Sequence, residues 1–382
     1  MHALDFPPPR HHAGAETLRQ EVRAFLAREV ISRTPLLRSD SWNGFDADFS
    51  RKLGAMGWIG MTWPKQYGGH ERSAFERYVV IEEMLAAGAP VAGHWIADRQ
   101  SGPTLLKFGS EEQKQTVLPR IAAGECFLCI GMSEPNAGSD LAAVRMRAQP
   151  VDGGYRINGA KIWTTGAHYA HYMILFCRTS GSAEDRQAGT SQFLIDMKTP
   201  GVTVSPIIDM AGQRHFNEVA FEDVFVPASA MIGTEGNGWK QVTSELAFER
   251  SGPERFLSSY TLLVELVKSL GPAPTGRAAE AVGRLVAHLL TLRRLSRGVA
   301  VLLEDGENPQ LQASVVKDLG ASFEQELPEI ARLLVSGAAG EKSTRDFCLV
   351  LHNTVLNAPT FSLRGGTREI LRGIIARGLG LR

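Results

Sequence analysis

Gly131-Met132-Ser133-Glu134-Pro135-Asn136-Ala137-Gly138-Ser139-Asp140 follows directly on the apolar run Phe127-Leu128-Cys129-Ile130. The apolar run reads as a strand, and the polar segment as a rigid loop at its end. Glycine lets backbone N–H groups approach a ligand closely, while Ser133 and Ser139 can bond the polar edge of a heterocycle or a phosphate. Glu134 and Asp140 look at first like a catalytic pair. Small polar residues also fill any ordinary turn, so the flanking chain has to decide.

On the N-terminal side the signals are helical. Leu18, Val22, Phe25 and Leu26 recur at helix spacing, as do Phe49, Leu53 and Met56 before Gly57 stops the pattern. The stretch from Gly57 to Gly69 is too rich in glycine and proline for a regular element and too aromatic for a free linker, so a packed, ordered loop is expected. Ser110-Glu111-Glu112-Gln113 matches a capping box, and Val117, Leu118 and Ile121 continue a buried face until Gly124. The proline- and histidine-rich start, with His2, His11 and His12, reads as a frayed polar tail rather than a metal site.

At Phe127 the period becomes strand-like. Tyr155 to Trp163 carries Asn158-Gly159 between two short β-prone runs, which predicts a hairpin turn at that pair. Further strands are expected at Tyr172–Thr179, Ser191–Met197, Val202–Ile207 and Val219–Val226. After Gly236-Asn237-Gly238 the pattern returns to helices, with Leu285, Leu289 and Leu292 on one face and Leu319, Phe323 and Leu327 on another. Gly271-Pro272 and the breakers from Gly306 to Pro309 separate the long segments. The fold class is therefore α+β: a helical domain over residues 1–125, an antiparallel β domain over 126–234 and a helical bundle over 235–382.

Composition narrows the function classes. Of the 382 residues, 43% are hydrophobic and 21% charged with zero formal net charge, which argues against a nucleic-acid or membrane-surface protein held by bulk electrostatics. No window is long and apolar enough for a membrane span, and the N-terminus has no secretory core. Cys126 and Cys129 form a C-x-x-C but lack a second pair or a histidine cluster, so buried structural thiols are expected, with no metal and a reducing, cytoplasmic setting.

With these segments in place, the chain from about Gly57 onward resembles the acyl-CoA dehydrogenase family. Met132 to Asp140 is similar to that family's flavin loop, and Lys161-Ile162-Trp163-Thr164-Thr165 to its second flavin segment. Phe221-Glu222-Asp223-Val224-Phe225-Val226-Pro227 resembles the signature closing the β domain. Gly366-Thr367-Arg368-Glu369-Ile370 and the ending Ile375 to Leu381 look like the C-terminal motif. The resemblance implies a C-terminal four-helix bundle, FAD as cofactor, and removal of the α-proton and β-hydride of an acyl-CoA thioester with electrons passed to an electron-transfer flavoprotein. It implies cofactor contacts at Met132, Ser133, Ser139, Trp163, Thr165, Thr367 and Glu369, with Ser139 near the cofactor phosphate or the CoA arm. Glu134 and Asp140 then become braces of the loop.

Many relatives place the catalytic base in a Glu-Gly-Thr triplet, where this chain has Gly365-Gly366-Thr367. A second branch places it on the first helix of the C-terminal domain, before an arginine. Leu246-Ala247-Phe248-Glu249-Arg250 matches that pattern, making Glu249 the expected base and Arg250 a substrate contact. A solvated charge pair on an amphipathic helix is the bland alternative. Gly252 and Pro253 should kink the helix here or simply end it near Ser251.

Two elements of the family are not evident: the Arg-x-x-Phe-Gly segment is replaced by Gly271-Pro272-Ala273-Pro274-Thr275-Gly276-Arg277, and Asn353 to Pro359 stands in place of Gln-x-x-Gly-Gly. Both commonly hold the far end of FAD across a subunit interface. The expected assembly is thus a homotetramer or an α2β2 heterotetramer with a paralogous subunit, the latter known among bacterial enzymes of steroid side-chain breakdown. An oxidase using O2 and a non-catalytic assembly subunit are the alternatives.

Overall fold

The computed structural model describes residues 4–10, 12, 14–249, 252–334 and 342–381; the side chains of 245–249 and 342–344 lie outside the description. Helices α1 (Ala15–Glu29), α2 (Pro35–Ser39), α3 (Ala47–Ala55), α4 (Ala74–Ala87), α5 (Ala92–Ile96), α6 (Gly102–Phe108) and α7 (Glu111–Ala122) come first. A π-helical turn, Ala97–Ser101, joins α5 to α6. Strands β1 (Leu128–Gly131), β2 (Arg147–Val151), β3 (Gly154–Lys161), β4 (Tyr172–Arg178), β5 (Thr190–Asp196), β6 (Val202–Ile207), β7 (Phe216–Pro227) and β8 (Met231–Ile232) follow. The chain ends in α8 (Gly238–Glu249), α9 (Tyr260–Leu270), α10 (Gly276–Glu304), α11 (Gln310–Leu334), α12 (Lys342–Leu363) and α13 (Arg368–Gly378). The order helical, β, helical is the expected one.

Contacts group these elements into two compact units, each discontinuous in sequence: Met1–Phe45 with Arg72–Val91 and Glu249–Arg382, and Asp46–Glu71 with Ala92–Phe248. The second unit is built on one sheet, ordered β6-β7-β3-β2-β4-β5-β8. Most neighbours are antiparallel, but β1 runs parallel to β4, Leu128 opposite Tyr172 through Gly131 opposite Leu175, and β2 meets the same strand in parallel at Arg178. The chain between β1 and β2, residues 132–146, therefore lies where the edge of β4 passes from one partner to the other. Cys129, Ile157, Leu175, Phe193, Val219 and Phe221 pack the sheet's core.

The predicted hairpin at Asn158-Gly159 is not formed. The turn between β2 and β3 is Asp152-Gly153, with Gly153 at φ +75° and Val151 paired to Gly154. Asn158-Gly159 lies inside β3 as a bulge: Ile157 faces Val224 and Gly159 faces Phe221, so Glu222 and Asp223 together oppose Asn158. Asn158 Oδ1 accepts the Asp223 N–H at 2.8 Å, and Gly159 takes φ +135°, where a Cβ would lie 2.9 Å from Met146 Cγ. Asn-Gly chemistry serves a bulge as well as a turn, and the partner strand decides.

In this unit the Ser110 capping box of α7 is present, an interaction contributing about 1 kcal/mol. Phe49 and Leu53 are buried, whereas Met56, standing beyond the last turn of α3, is exposed. The loop after it is ordered around buried Trp58, Ile59, Met61, Trp63 and Tyr67, with Gly57 and Gly60 at positive φ.

The other unit is helical, with α11 packed on α9, α10, α12 and α13. Ala313, Val316, Gly320, Phe323 and Leu327 form the buried stripe of α11; Leu319 stands one place off it and is exposed. The N-terminal segment differs from the frayed tail expected of it. Arg10 makes a bidentate pair with Asp305 at 2.6 and 2.7 Å, Arg294 bonds the Pro7 carbonyl at 2.9 Å, and the His12 ring stacks on Phe75 at 4.2 Å. Its proline content keeps it extended, so its carbonyls remain available to side chains of α10 and α11. His2 and His11 lie outside the described residues.

Candidate functional site

The segment opening the loop is held from below. Lys161, at the end of β3, has no exposed side-chain surface and donates to the Met132 carbonyl at 3.0 Å and to Glu134 Oε1 at 2.8 Å. Glu134, with 9% of its side chain exposed, also accepts the Arg145 N–H at 2.8 Å and the Met146 N–H at 3.0 Å. Burial pulls the Lys161 ammonium below the ordinary lysine range, with the Glu134 carboxylate opposing that fall. Between them, residues 134–137 close a tight turn through paired backbone bonds of 2.9 and 3.0 Å.

The far side of the loop is held by arginines. Buried Arg178 donates to the carbonyls of Val144 and Ala142, each at 3.2 Å, and to those of Ala188 and Arg186 at 2.7 and 2.8 Å. Asp140 pairs with Arg186 at 2.8 and 3.0 Å, and that guanidinium holds its carboxyl below the usual aspartate range. Both carboxylates of the loop are thus engaged as braces.

Beside the loop runs the segment after β3. Ile162 N–H donates to the Ser133 carbonyl at 2.9 Å; Thr164 exchanges backbone bonds of 2.9 and 3.1 Å with Asn217, whose amide adds another to the Thr164 carbonyl at 2.9 Å. Gly166 N–H donates to the His215 carbonyl at 2.9 Å. Clamped on both sides, Trp163 takes φ +60°, a backbone conformation unusual for an aromatic residue, and keeps 56% of its surface exposed. Phe216 meets it edge-on at 6.0 Å between centroids.

Met132 and Ser133 are therefore tied to the segment carrying Trp163 and Thr165, Met132 through the Lys161 ammonium and Ser133 through the Ile162 N–H, with Ser139 exposed further along the same loop. A large uncovered indole, the hydroxyls of Ser133 and Thr165, and a buried Thr164 hydroxyl without a partner suit a planar heterocycle with a polar edge. These residues fit a flavin.

Other expected site residues belong to the helical unit. Glu249 is the last described residue of α8; its side chain and all of Arg250 lie outside the described residues. Gly252 is extended and Pro253–Arg255 forms a separate 3-10 turn, so the helix ends near the proline instead of kinking through it. Thr367 caps α13, its hydroxyl accepting the Ile370 N–H at 3.5 Å, and Glu369 stands exposed in the first turn, its carboxyl lowered by its own N–H and the Thr367 hydroxyl. Gly365 has φ +71°, and a Cβ there would lie 3.0 to 3.2 Å from the Arg255 guanidinium.

Sequence reasoning missed Lys161, Arg178 and Asn217 as determinants of the site. Lys161 had a signal: a charged residue in phase with buried Ile157 on a strand should be buried with a partner. Arg178 and Asn217 act through backbone carbonyls, for which sequence offers no marker. Cys126 and Cys129 are buried and free, burial pushing the Cys126 thiol up to about 11, and no described residues form a cluster suited to a metal.

Comparisons with known proteins accord with this geometry. Models of the acyl-CoA dehydrogenase N-terminal, middle and C-terminal domains match residues 13–125, 129–224 and 276–380. The acyl-CoA dehydrogenase IpdE1 of Mycolicibacterium smegmatis is 33% identical, over 96% of this chain and 97% of its own. Among solved structures, the Tcur3481-Tcur3483 steroid ACAD has a TM-score of 0.84 at 28% identity, covering 99% of this chain and 100% of its own. The ChsE4-ChsE5 complex of Mycobacterium tuberculosis has a TM-score of 0.82 at 27% identity, covering 98% and 99%.

Proposed function

The chain belongs to the acyl-CoA dehydrogenase family of oxidoreductases, and on that premise we propose that it carries out FAD-dependent α,β-dehydrogenation of an acyl-CoA thioester, passing electrons to an electron-transfer flavoprotein. The observation carrying this reading is the uncovered Trp163, fixed at positive φ between the Ser133 carbonyl and Asn217. FAD, when bound, accepts the β-hydride at N5. Met132, Ser133, Trp163 and Thr165 hold its ring system in this reading, with Ser139, Thr367 and Glu369 as further contacts. The domain limits proposed with it are residues 1–125, 126–234 and 235–382.

Glu249 is assigned the α-proton and Arg250 a substrate contact. An α-carbon beside a thioester is a weak acid, so its base must be held against the proton and shielded from water, a task a buried carboxylate can perform. The other family position for that carboxylate is Gly365, whose positive φ of +71° strains any side chain placed there. Anaerobic titration of the FAD-loaded protein with linear, branched and ring-bearing acyl-CoAs tests the activity: bleaching of the flavin is expected, and no bleaching by any member would sink it. Rapid peroxide formation on admitting air would instead favour the oxidase reading.

A second reading concerns assembly. Helix α12 runs without a glycine break through Asn353–Pro359, where the family's Gln-x-x-Gly-Gly would stand, and two of the similar solved structures carry two-component names. Both support an α2β2 heterotetramer in which a paralogous subunit completes the cofactor's far end. Stoichiometric FAD in a homotetramer of the chain expressed alone would count against it.

A further inference from the structure

The Lys161 side chain bonds two residues at the start of the loop, Met132 and Glu134. A Cβ on Gly131 would lie 3.2 Å from Lys161 Cγ, so the lysine stem runs against that glycine. Its Nζ reaches the carbonyl of Met132 and the carboxylate of Glu134, and the next residue, Ile162, bonds the carbonyl of Ser133. Residues 132–134 are thus each bonded by Lys161 or Ile162, directly after Gly131 at the end of β1. Nothing comparable is needed for the sheet, because β3 is already paired with β2 on one side and β7 on the other.

A buried ion pair is a weak source of stability, since the desolvation of both ions offsets their attraction; an apolar pair of similar size serves folding as well or better. What the pair supplies is direction. A lysine ammonium offers three donors on a stem, and here at least two are directed at named acceptors in a segment distant in sequence. The Glu134 oxygens extend the same connection to the N–H groups of Arg145 and Met146 at the loop's far end.

Resting on the flavin reading above, we infer that Lys161 and Glu134 are positioning residues that set the register between the two cofactor segments, 131–140 and 161–165. Without the pair, the chain keeps its sheet but the two segments move independently, and the surface formed by Trp163, Ser133 and Thr165 loses its fixed shape. The pair acts through those residues and does not itself touch the reacting atoms.

The experiment compares Lys161→Met with the double variant Lys161→Met/Glu134→Gln, which removes both charges and so avoids stranding a carboxylate. Val226→Ala, in the sheet core opposite Tyr155 and away from both segments, is the control for general destabilisation. Amide hydrogen exchange of the apo proteins is expected to accelerate by at least tenfold in both segments together for the Lys161 variants, with β4 and β5 unchanged. FAD dissociation constants should rise at least tenfold, while Val226→Ala shows neither loop-selective exchange nor a comparable loss of affinity. Acceleration confined to one segment, or none in the double variant, overturns the inference. If the parent chain alone takes up no FAD, as the heterotetramer reading allows, hydrogen exchange alone decides the positioning role.

Discussion

The sheet unit and the helical unit both bury charge beside a segment assigned to function, and they do so with different chemistry. In the sheet unit a lysine points its ammonium at two acceptors of one loop. In the helical unit Arg364, just before Gly365-Gly366-Thr367, lies flat over Trp42 at 4.0 Å and donates to Glu324 at 2.8 Å and Ser258 at 2.6 Å, while Ser258 N–H returns to Glu324 at 2.8 Å. The planar guanidinium joins three elements into one rigid corner, whereas the ammonium ties two loops over an intact sheet. On the positioning proposal, charge in the sheet unit serves the fit of a ligand, whereas the Arg364 contacts serve the folding of the corner. The carboxylate assigned to proton transfer belongs to neither pair.

The largest expected effect tests that last separation. Glu249→Gln should slow reduction of bound flavin by an acyl-CoA about 10^2- to 10^4-fold, the usual weight of a general base, while FAD content stays that of the parent. Stopped-flow bleaching under anaerobic conditions measures it. Adding Gly365→Glu should not restore the parent rate, because a side chain at that left-handed position carries about 1–3 kcal/mol of strain. Unchanged reduction by Glu249→Gln would return the base to be sought elsewhere.

Next in size is the helical corner. Glu324→Ala leaves the Arg364 guanidinium and the Ser258 N–H without their buried acceptor, and loss of one partner from a buried pair costs about 3–5 kcal/mol. Urea unfolding should show it as a lower midpoint, with FAD affinity at saturating stability conditions unaffected. A variant that kept its midpoint and lost FAD would erase the contrast between the units.

A smaller effect depends on pH. Glu82 is buried, which raises its carboxyl, but bonds from Arg293 at 2.6 and 3.0 Å and from Arg19 at 3.0 Å outweigh burial and bring it below the ordinary 4.5. A carboxylate with a depressed folded value contributes stability fully above its unfolded value and loses it as pH falls through the folded one. Below about pH 4.5 the parent should therefore lose stability with a slope that Glu82→Gln lacks, and at neutral pH the variant should be less stable by about 2 kcal/mol. Chemical denaturation at pH 3.5, 4.5 and 7 gives both quantities; parallel pH profiles would remove Glu82 from the acid response.

The two units also differ in how far the sequence discloses them. Helical faces such as Leu18, Val22, Phe25 and Leu26 repeat at a period fixed by the helix itself, and all four are buried. Asn158-Gly159 has good hairpin chemistry yet forms a bulge, because that choice belongs to β7, whose Asp223 lies 65 residues along the chain from Asn158. The site divides the same way. Trp163, Ser133 and Thr165 are legible as aromatic and hydroxyl residues in a resembling motif, while Arg178 and Asn217 work through backbone carbonyls that every residue carries. Burial is also decided at a distance: Glu134 and Asp140 are chemically alike in sequence, and only the fold covers one and leaves the other in water.

That pair of carboxylates gives the smallest expected effect and the sharpest use of the comparison. Asp140 and Arg186 make a well-formed bidentate contact, but their side chains are 57% and 58% exposed, so water and salt compete for both partners. Asp140→Asn should leave the melting temperature within error and change the FAD dissociation constant less than twofold, even though the residue adjoins Ser139 in the cofactor loop. Calorimetry and flavin fluorescence, run beside Lys161→Met, measure the two. Should Asp140→Asn weaken FAD as much as the lysine variant does, then burial is not what separates the two braces, and the loop responds to any loss of charge along its length.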